Sequence, residues 1–334
     1  MSEMKSLLHI GMPKCMSTSI QSYLREAKNV FFAGIGPSKF VAPDMLQAFQ
    51  RQVMRTSTQF YDRDFVARVF DYSIMQAKQK GARVFALSDE SIPFAMTYGL
   101  VDVSYSERLQ RLKEVLPEPV TVLMLTRRPA DYLKSVYKYE TVMHGLSFTY
   151  NEFLKRLLLK GDTYFLSTVK YFHFAEEARR VFSNVRVIAM EDIKADKRAL
   201  PSFFEELGLS MTAAPPRQNV GMADEKFENF RNLYAPYGDT LAINDLNYIS
   251  PADRLLAQET LAYYGSIIAS IMAKDQALTT LRNLAVQLPD KPPAPSFEMG
   301  DKTRALLKEY VAASNAKLKA QYGVDTVAHG YDEF

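Results

Sequence analysis

The stretch Leu7-Leu8-His9-Ile10-Gly11-Met12-Pro13-Lys14-Cys15-Met16-Ser17-Thr18-Ser19-Ile20 decides the fold. Leu7 to Ile10 is an apolar run of strand length, with His9 read as a packed core histidine. Gly11-Met12-Pro13 breaks it, and Ile20, Tyr23 and Leu24 then follow at helical spacing. A strand, a tight loop and a helix in this order bring backbone N–H groups and the positive helix end to one point, which favours an anion. Ser17, Thr18 and Ser19 add hydroxyl donors, and Lys14 places a positive charge mid-loop. The same residues would also serve a plain strand-to-helix turn in which Ser17–Ser19 only cap the helix.

The loop is not that of a nucleoside-triphosphatase. The pattern G-x-x-x-x-G-K-[ST], counted from Gly11, puts Met16 at the second glycine and Ser17 at the lysine, so the lysine comes three positions early. A lysine at that point reaches the bridging oxygen of a 5′-phosphate-linked group rather than lying along a β/γ-phosphate chain. This disfavours ATP or GTP with magnesium, although a P-loop small-molecule kinase remains the first alternative function. Cys15 inside an anion loop could have a lowered thiol pKa; we read it as filling a Thr or Ser position.

Outward from the loop, short apolar runs recur at 6–10, 30–33, 84–87, 120–125 and 185–190. They do not alternate with polar residues, as expected of strands buried on both faces. Between them lie helical patterns. Val66, Val69, Phe70, Ile74 and Ala77 are followed by Gly81 as a stop. Ser104 to Glu107 and Thr149 to Glu152 read as capping boxes, and Pro129 as a first helical turn. The expectation is an α/β fold, a P-loop-type open parallel sheet of about five strands flanked by helices, with a helical C-terminal part. We expect a single domain over 1–334. Its nucleotide-binding core is 1–210, and a mainly helical 211–334 contains a helix from Ser250, a proline-rich connector at 289–295 and a last helix ending near Gly323.

Composition excludes several classes. The 334 residues carry Lys plus Arg 41 against Asp plus Glu 38, a net +3, which gives no sign of nucleic-acid binding. A single cysteine rules out an internal disulfide framework and a cysteine zinc cluster, and four histidines make a histidine-rich metal site unexpected. The longest apolar stretch, near 261–273, is interrupted and too short to span a bilayer. We therefore expect no metal, no stable membrane insertion and a cytoplasmic setting.

A second stretch, Val120-Thr121-Val122-Leu123-Met124-Leu125-Thr126, is a buried strand running into Arg127-Arg128-Pro129. In open α/β sheets ligands bind at the carboxyl ends of strands, which is where Arg127 falls. Ser135 follows eight residues later, within the next helix. A guanidinium fork and a small hydroxyl suit one phosphate.

Pro13-Lys14-Cys15-Met16-Ser17-Thr18 resembles the P-K-x-G-T-T phosphosulfate loop of nucleotide-dependent sulfotransferases, and Arg127-Arg128-Pro129 with Ser135 resembles their 3′-phosphate element. Weaker echoes are Phe85 to Glu90, Val185 to Ile193, Arg217-Gln218-Asn219-Val220-Gly221 and Tyr310 to Gly323. The resemblance implies sulfuryl transfer from 3′-phosphoadenosine 5′-phosphosulfate (PAPS) to a hydroxyl or amine of a small-molecule or glycan acceptor, without a metal, in a bacterial cytoplasmic enzyme. It implies donor contacts from Pro13, Lys14, Cys15, Met16, Ser17, Thr18, Ser19, Arg127, Ser135 and Arg217, with Lys14 at the bridging oxygen. The general base is expected to be Glu90, then Asp89, then His144. Met16 stands where the family has glycine. Methionine disfavours a positive φ, so either it takes ordinary dihedrals with its side chain turned away or donor binding is weakened. A donor site blocked at Met16, leaving a non-catalytic nucleotide-binding or interaction protein, is the second alternative.

Overall fold

A computed structural model describes residues 4–33, 43–90, 92–93, 103–146, 148–160, 164–209, 227, 229–232, 276, 279–280, 283, 285–287 and 297–334. The expected helix from Ser250, the 289–295 connector and Arg217 lie outside these residues. The strands are β1 (Lys5–Ile10), β2 (Val30–Phe32), β3 (Val84–Asp89), β4 (Val120–Thr126) and β5 (Asn184–Ala189). They form one parallel five-stranded sheet in the order β2-β3-β1-β4-β5. β3 and β4 are buried along their whole length, whereas β5 at the edge is only partly covered.

Helices cover both faces of the sheet. On one face α1 (Ser17–Glu26) and α5 (Pro129–His144) pack Ile20, Leu24, Leu133 and Val136 over Leu7, Ala86 and Leu123. On the other, α3 (Arg63–Gln79) and α4 (Tyr105–Val115), with a π-helical segment Gln47–Val53, pack Phe49, Val66, Phe70, Leu109 and Leu112 over Leu8, Phe85 and Val122. Further helices are α2 (Pro43–Leu46), α6 (Tyr150–Lys160), α7 (Tyr164–Ser167), α8 (Tyr171–Val181), α9 (Met190–Ala195), α10 (Ala199–Glu206) and α11 (Asp301–Tyr322). α11 joins the first face through Leu307, Val311 and Leu318.

Local chemistry sets these boundaries. Ser104 Oγ accepts the Glu107 N–H at 3.1 Å, and Thr149 and Glu152 bond each other's N–H at 3.3 and 2.9 Å, a reciprocal cap. Pro129 sits in the first turn of α5. α11 ends on Gly323 at φ 70°, where an L side chain is strained.

The topology fixes where a ligand goes. From central β1 the chain builds outward to β2 and β3, then crosses to β4 and β5 on the other side. The sheet order therefore reverses between β1 and β4, and the crevice lies at their carboxyl ends. Ile10 pairs with Met124, so the loop after β1 and Arg127 after β4 emerge side by side.

Candidate active site

The loop from Gly11 to Met16 has two residues in the left-handed region, Lys14 at φ 63° and Met16 at φ 62°, on either side of Cys15. Such alternation gathers backbone N–H groups into an anion-sized concavity. The ordinary dihedrals considered for Met16 are not adopted: the loop keeps the backbone a glycine would give it, at a strain of about 1–3 kcal/mol. Met16 is the residue before α1, and no side chain caps the helix there. Ser17 Oγ bonds the Met12 carbonyl at 3.3 Å instead, and the first turn contains no acidic residue. The positive end of α1 thus has no carboxylate of its own chain's first turn against it.

Space at the loop is tight. A Cβ on Gly11 would lie 2.7 Å from Ser17 Oγ and 3.1 Å from Glu90 Cγ, so only glycine lets the β1 and β3 ends close together. The Gly11 N–H bonds the Asp89 carbonyl at 3.3 Å. Pro13 and Ser19 are buried, and Thr18 is half-buried. Cys15 is 0% exposed in the core under the loop, and burial pushes its thiol well up from the ordinary range rather than down.

Lys14 turns inward. Its ammonium nitrogen lies 3.7 Å from the centre of the Tyr139 ring, a cation–π contact. Burial lowers its pKa from the ordinary 10.5, while Glu90 and Glu140 act to raise it and Arg127 to lower it further. Burial also raises Glu90, against the pull of Lys14; Asp89 adds to the rise and a Ser17 hydrogen bond opposes it. Glu140, on α5, is pushed up to about 8 by burial, again against Lys14. For Glu140 desolvation therefore outweighs attraction to the lysine.

The sign of the pH effect follows. A carboxyl raised from 4.5 to about 8 binds more protons folded than unfolded across that window, so it lowers stability as pH rises through it. Glu140→Gln is expected to flatten the fall of Tm between those two values in a series of thermal melts. A wild-type fall that persists unaltered in the variant would contradict the assignment.

Asp89 and Glu90 point to opposite faces. Asp89 Oδ2 accepts from Gln50 Nε2 at 2.7 Å, on the side of the π-helical segment. That segment is pinned by buried Arg111, whose Nη1 donates to the carbonyls of Gln52, Val53 and Thr56 at 2.9, 3.2 and 2.7 Å. Glu90 stands on the Lys14 side. His144 is the last residue of α5, and its side chain lies outside the described residues. His9 is a core histidine, its Nδ1 2.7 Å from Ser88 Oγ and burial lowering its pKa to about 3.

Arg127 meets the loop directly, its Nη1 donating to the Lys14 carbonyl at 3.1 Å. Its Nε is buried with no hydrogen-bond partner. Arg128 turns away, bonded to Asp131 at 3.2 and 3.0 Å. Ser135 is half-buried on α5. Sequence reasoning missed Tyr139 and Glu140. The signal for Tyr139 was its position four residues after Ser135, on the same helix face; Glu140 is off that face and gave no signal. Among the described residues no group of three His, Cys, Asp or Glu side chains is arranged to hold a metal ion, and no helix is long and apolar enough to cross a membrane.

No protein-family model matches the chain, and no curated protein matches it in sequence. Among solved structures it is similar to a sulfotransferase from Alicyclobacillus acidocaldarius, at 15% identity and TM-score 0.45, over 82% of this chain and 97% of that one. It is also similar to mouse sulfotransferase SULT7A1 complexed with PAP, at 14% identity and TM-score 0.33, over 86% of this chain and 90% of that one. Likeness this distant decides nothing about chemistry, which has to come from the residues.

Proposed function

We propose that this chain transfers a sulfuryl group from PAPS to a hydroxyl or amine of a small-molecule or glycan acceptor. The observation that carries the reading is the meeting of Lys14 and Arg127. They leave neighbouring strands β1 and β4, Arg127 Nη1 bonds the Lys14 carbonyl at 3.1 Å, and the lysine ammonium is turned inward beside Tyr139. The residues present fit the donor nucleotide. The Arg127 Nε–H is buried without a partner, and the α1 end carries no acidic residue in its first turn. An unpaired buried guanidinium N–H is costly and is satisfied by an anion.

When bound, PAPS supplies the sulfuryl group and leaves as 3′,5′-adenosine bisphosphate (PAP). The loop N–H groups with Ser17 and Thr18 bind the 5′-phosphate, and Arg127 with Ser135 binds the 3′-phosphate. Arg217 is assigned to the nucleotide on its motif alone. Lys14 would donate to the bridging oxygen as negative charge grows there, acting from a partly buried site. Glu90 takes the proton of the acceptor. Asp89, tied to Gln50 on the other face, is not given that role, and neither is His144.

Glu90→Gln is expected to lower kcat on the order of 10²-fold, the usual worth of a positioned base, while Asp89→Asn stays near wild type. Because burial holds Glu90 above the ordinary carboxylate range, the acidic limb of the kcat/KM profile should lie above that range and vanish in the variant. Equal rates for Glu90→Gln and wild type would remove Glu90 from the mechanism.

The reading is tested by incubating the protein with PAPS and acceptor mixtures and following products by mass spectrometry. It expects products heavier by one SO3 group, formed equally well in the presence of a chelator. Products gained only with ATP and magnesium, heavier by a phosphoryl group, would make the chain a kinase.

A further inference from the structure

The segment after α11 reaches back to the end of β4 and, together with Glu191, bonds the residues on either side of Arg127. Tyr331 is 0% exposed. Its hydroxyl lies 2.9 Å from Thr126 Oγ1, the last residue of β4, and donates to Glu191 Oε2 at 3.2 Å. The other oxygen, Glu191 Oε1, accepts the Arg128 backbone N–H at 3.2 Å. With the phenol donating to Glu191, the Thr126 hydroxyl donates to the phenol, giving a continuous relay from Thr126 through Tyr331 and Glu191 to Arg128. Between these two residues, the Arg127 carbonyl accepts from Tyr171 Oη at 2.8 Å, and the Tyr171 ring meets Tyr331 edge-on at 6.2 Å.

The segment itself is stapled down. Asn315 Nδ2 donates to the Tyr331 carbonyl at 3.2 Å and to Asp332 Oδ1 at 2.7 Å. His329 Nε2 lies 2.7 Å from Asp192 Oδ1, and Arg304 bonds the Phe334 carbonyl. The Tyr331 phenol is raised far above its ordinary range, first by burial and then by Glu191, so it remains a donor at any working pH.

We infer that Tyr331 and Glu191 are positioning residues for Arg127: by holding the residues before and after it, they aim its guanidinium at the 3′-phosphate of the donor. This rests on the donor reading above. An arginine aims a planar fork only as well as its backbone is fixed, and the three-residue turn Thr126–Arg128 is fixed from both sides by side chains distant in sequence. These groups act through the backbone on either side of Arg127, so their effect should fall chiefly on the phosphate that Arg127 binds and less on the loop it bonds through the Lys14 carbonyl.

The test is calorimetric titration of the full chain and of Tyr331→Phe with PAP and with adenosine 5′-monophosphate, which lacks the 3′-phosphate. Wild type is expected to prefer PAP. In Tyr331→Phe the PAP affinity should fall about tenfold, the worth of one buried hydrogen bond, with a clearly smaller loss for the monophosphate, which feels only the Arg127 bond to the Lys14 carbonyl. Glu191→Gln, which keeps size and an acceptor for the Arg128 N–H, should show a smaller loss in the same direction. It carries the test should Tyr331→Phe fail to fold by circular dichroism. An equal loss for both nucleotides, or none for PAP, would reduce the relay to a structural role and overturn the inference. A wild type that binds PAP no better than the monophosphate would overturn the donor reading first, and the inference with it.

Discussion

Lys14→Ala is expected to lower kcat by on the order of 10²–10³, the loss that follows removal of one preorganised donor at a developing charge. The affinity for the intact donor PAPS should change far less, because its bridging oxygen carries little charge and the ammonium serves it only as the bond to sulfur breaks. The lysine works from an environment that burial makes unfavourable to it, and Glu90 and Glu140 oppose that cost. Its removal leaves these two carboxyls, already raised by burial, without the cation that lowers them. Glu90 then moves further toward its protonated form, so the loss should deepen as pH falls. Lys14→Arg should not rescue, because the guanidinium spreads its charge over three nitrogens on a longer side chain and cannot place it as a point charge at the bridging oxygen. Steady-state kinetics with an acceptor from the screen check this, and unchanged turnover in Lys14→Ala would refute the role.

Arg127→Ala is expected to weaken PAP on the order of 10²-fold, taking the fork as two charge-assisted hydrogen bonds of about 1.5–3 kcal/mol each with partial replacement by water. Two effects combine. The 3′-phosphate loses its partner, and the Lys14 carbonyl loses the Nη1 donor at 3.1 Å that holds the loop. Adenosine 5′-monophosphate should lose less, through the second effect alone. Arg127→Lys should recover little, since one ammonium cannot bond the Lys14 carbonyl and a phosphate in the same geometry. Calorimetry on both variants decides the matter, and PAP affinity untouched by Arg127→Ala would contradict it.

What the sequence made legible follows physical range. The apolar runs became strands because a strand covered on both faces is predominantly apolar, a local property; the edge strand β5, only partly covered, shows the weakest such run. Ser104, Thr149, Pro129, Gly81 and Gly323 marked helix ends because capping is also local. The anion loop and Arg127 were legible because each lies directly after a strand. Their meeting depended on β1 and β4 being neighbours, which alternating elements imply only once the order is known.

The rest was hidden because it depends on contacts across the sheet. Glu140 acquires its raised pKa from burial beside Lys14, over a hundred residues away in sequence. Asp89 and Glu90 could not be told apart until Gln50, on a π-helical segment with no sequence signature, took Asp89. Of the two readings for Met16, the ordinary dihedrals expected from propensity are not adopted, because tertiary packing overrides it: the side chain packs against the core while the backbone stays left-handed. Tyr331 and His329 sit in a short polar stretch whose partners, Glu191 and Asp192, follow a strand far upstream.

The most direct measurement of the central claim is a calorimetric titration of the wild-type chain with PAP, with and without magnesium, beside one with ATP and magnesium. The site described here predicts PAP binding that magnesium does not alter and that exceeds binding of ATP. Preference for ATP with magnesium, or no heat from either nucleotide, would contradict it.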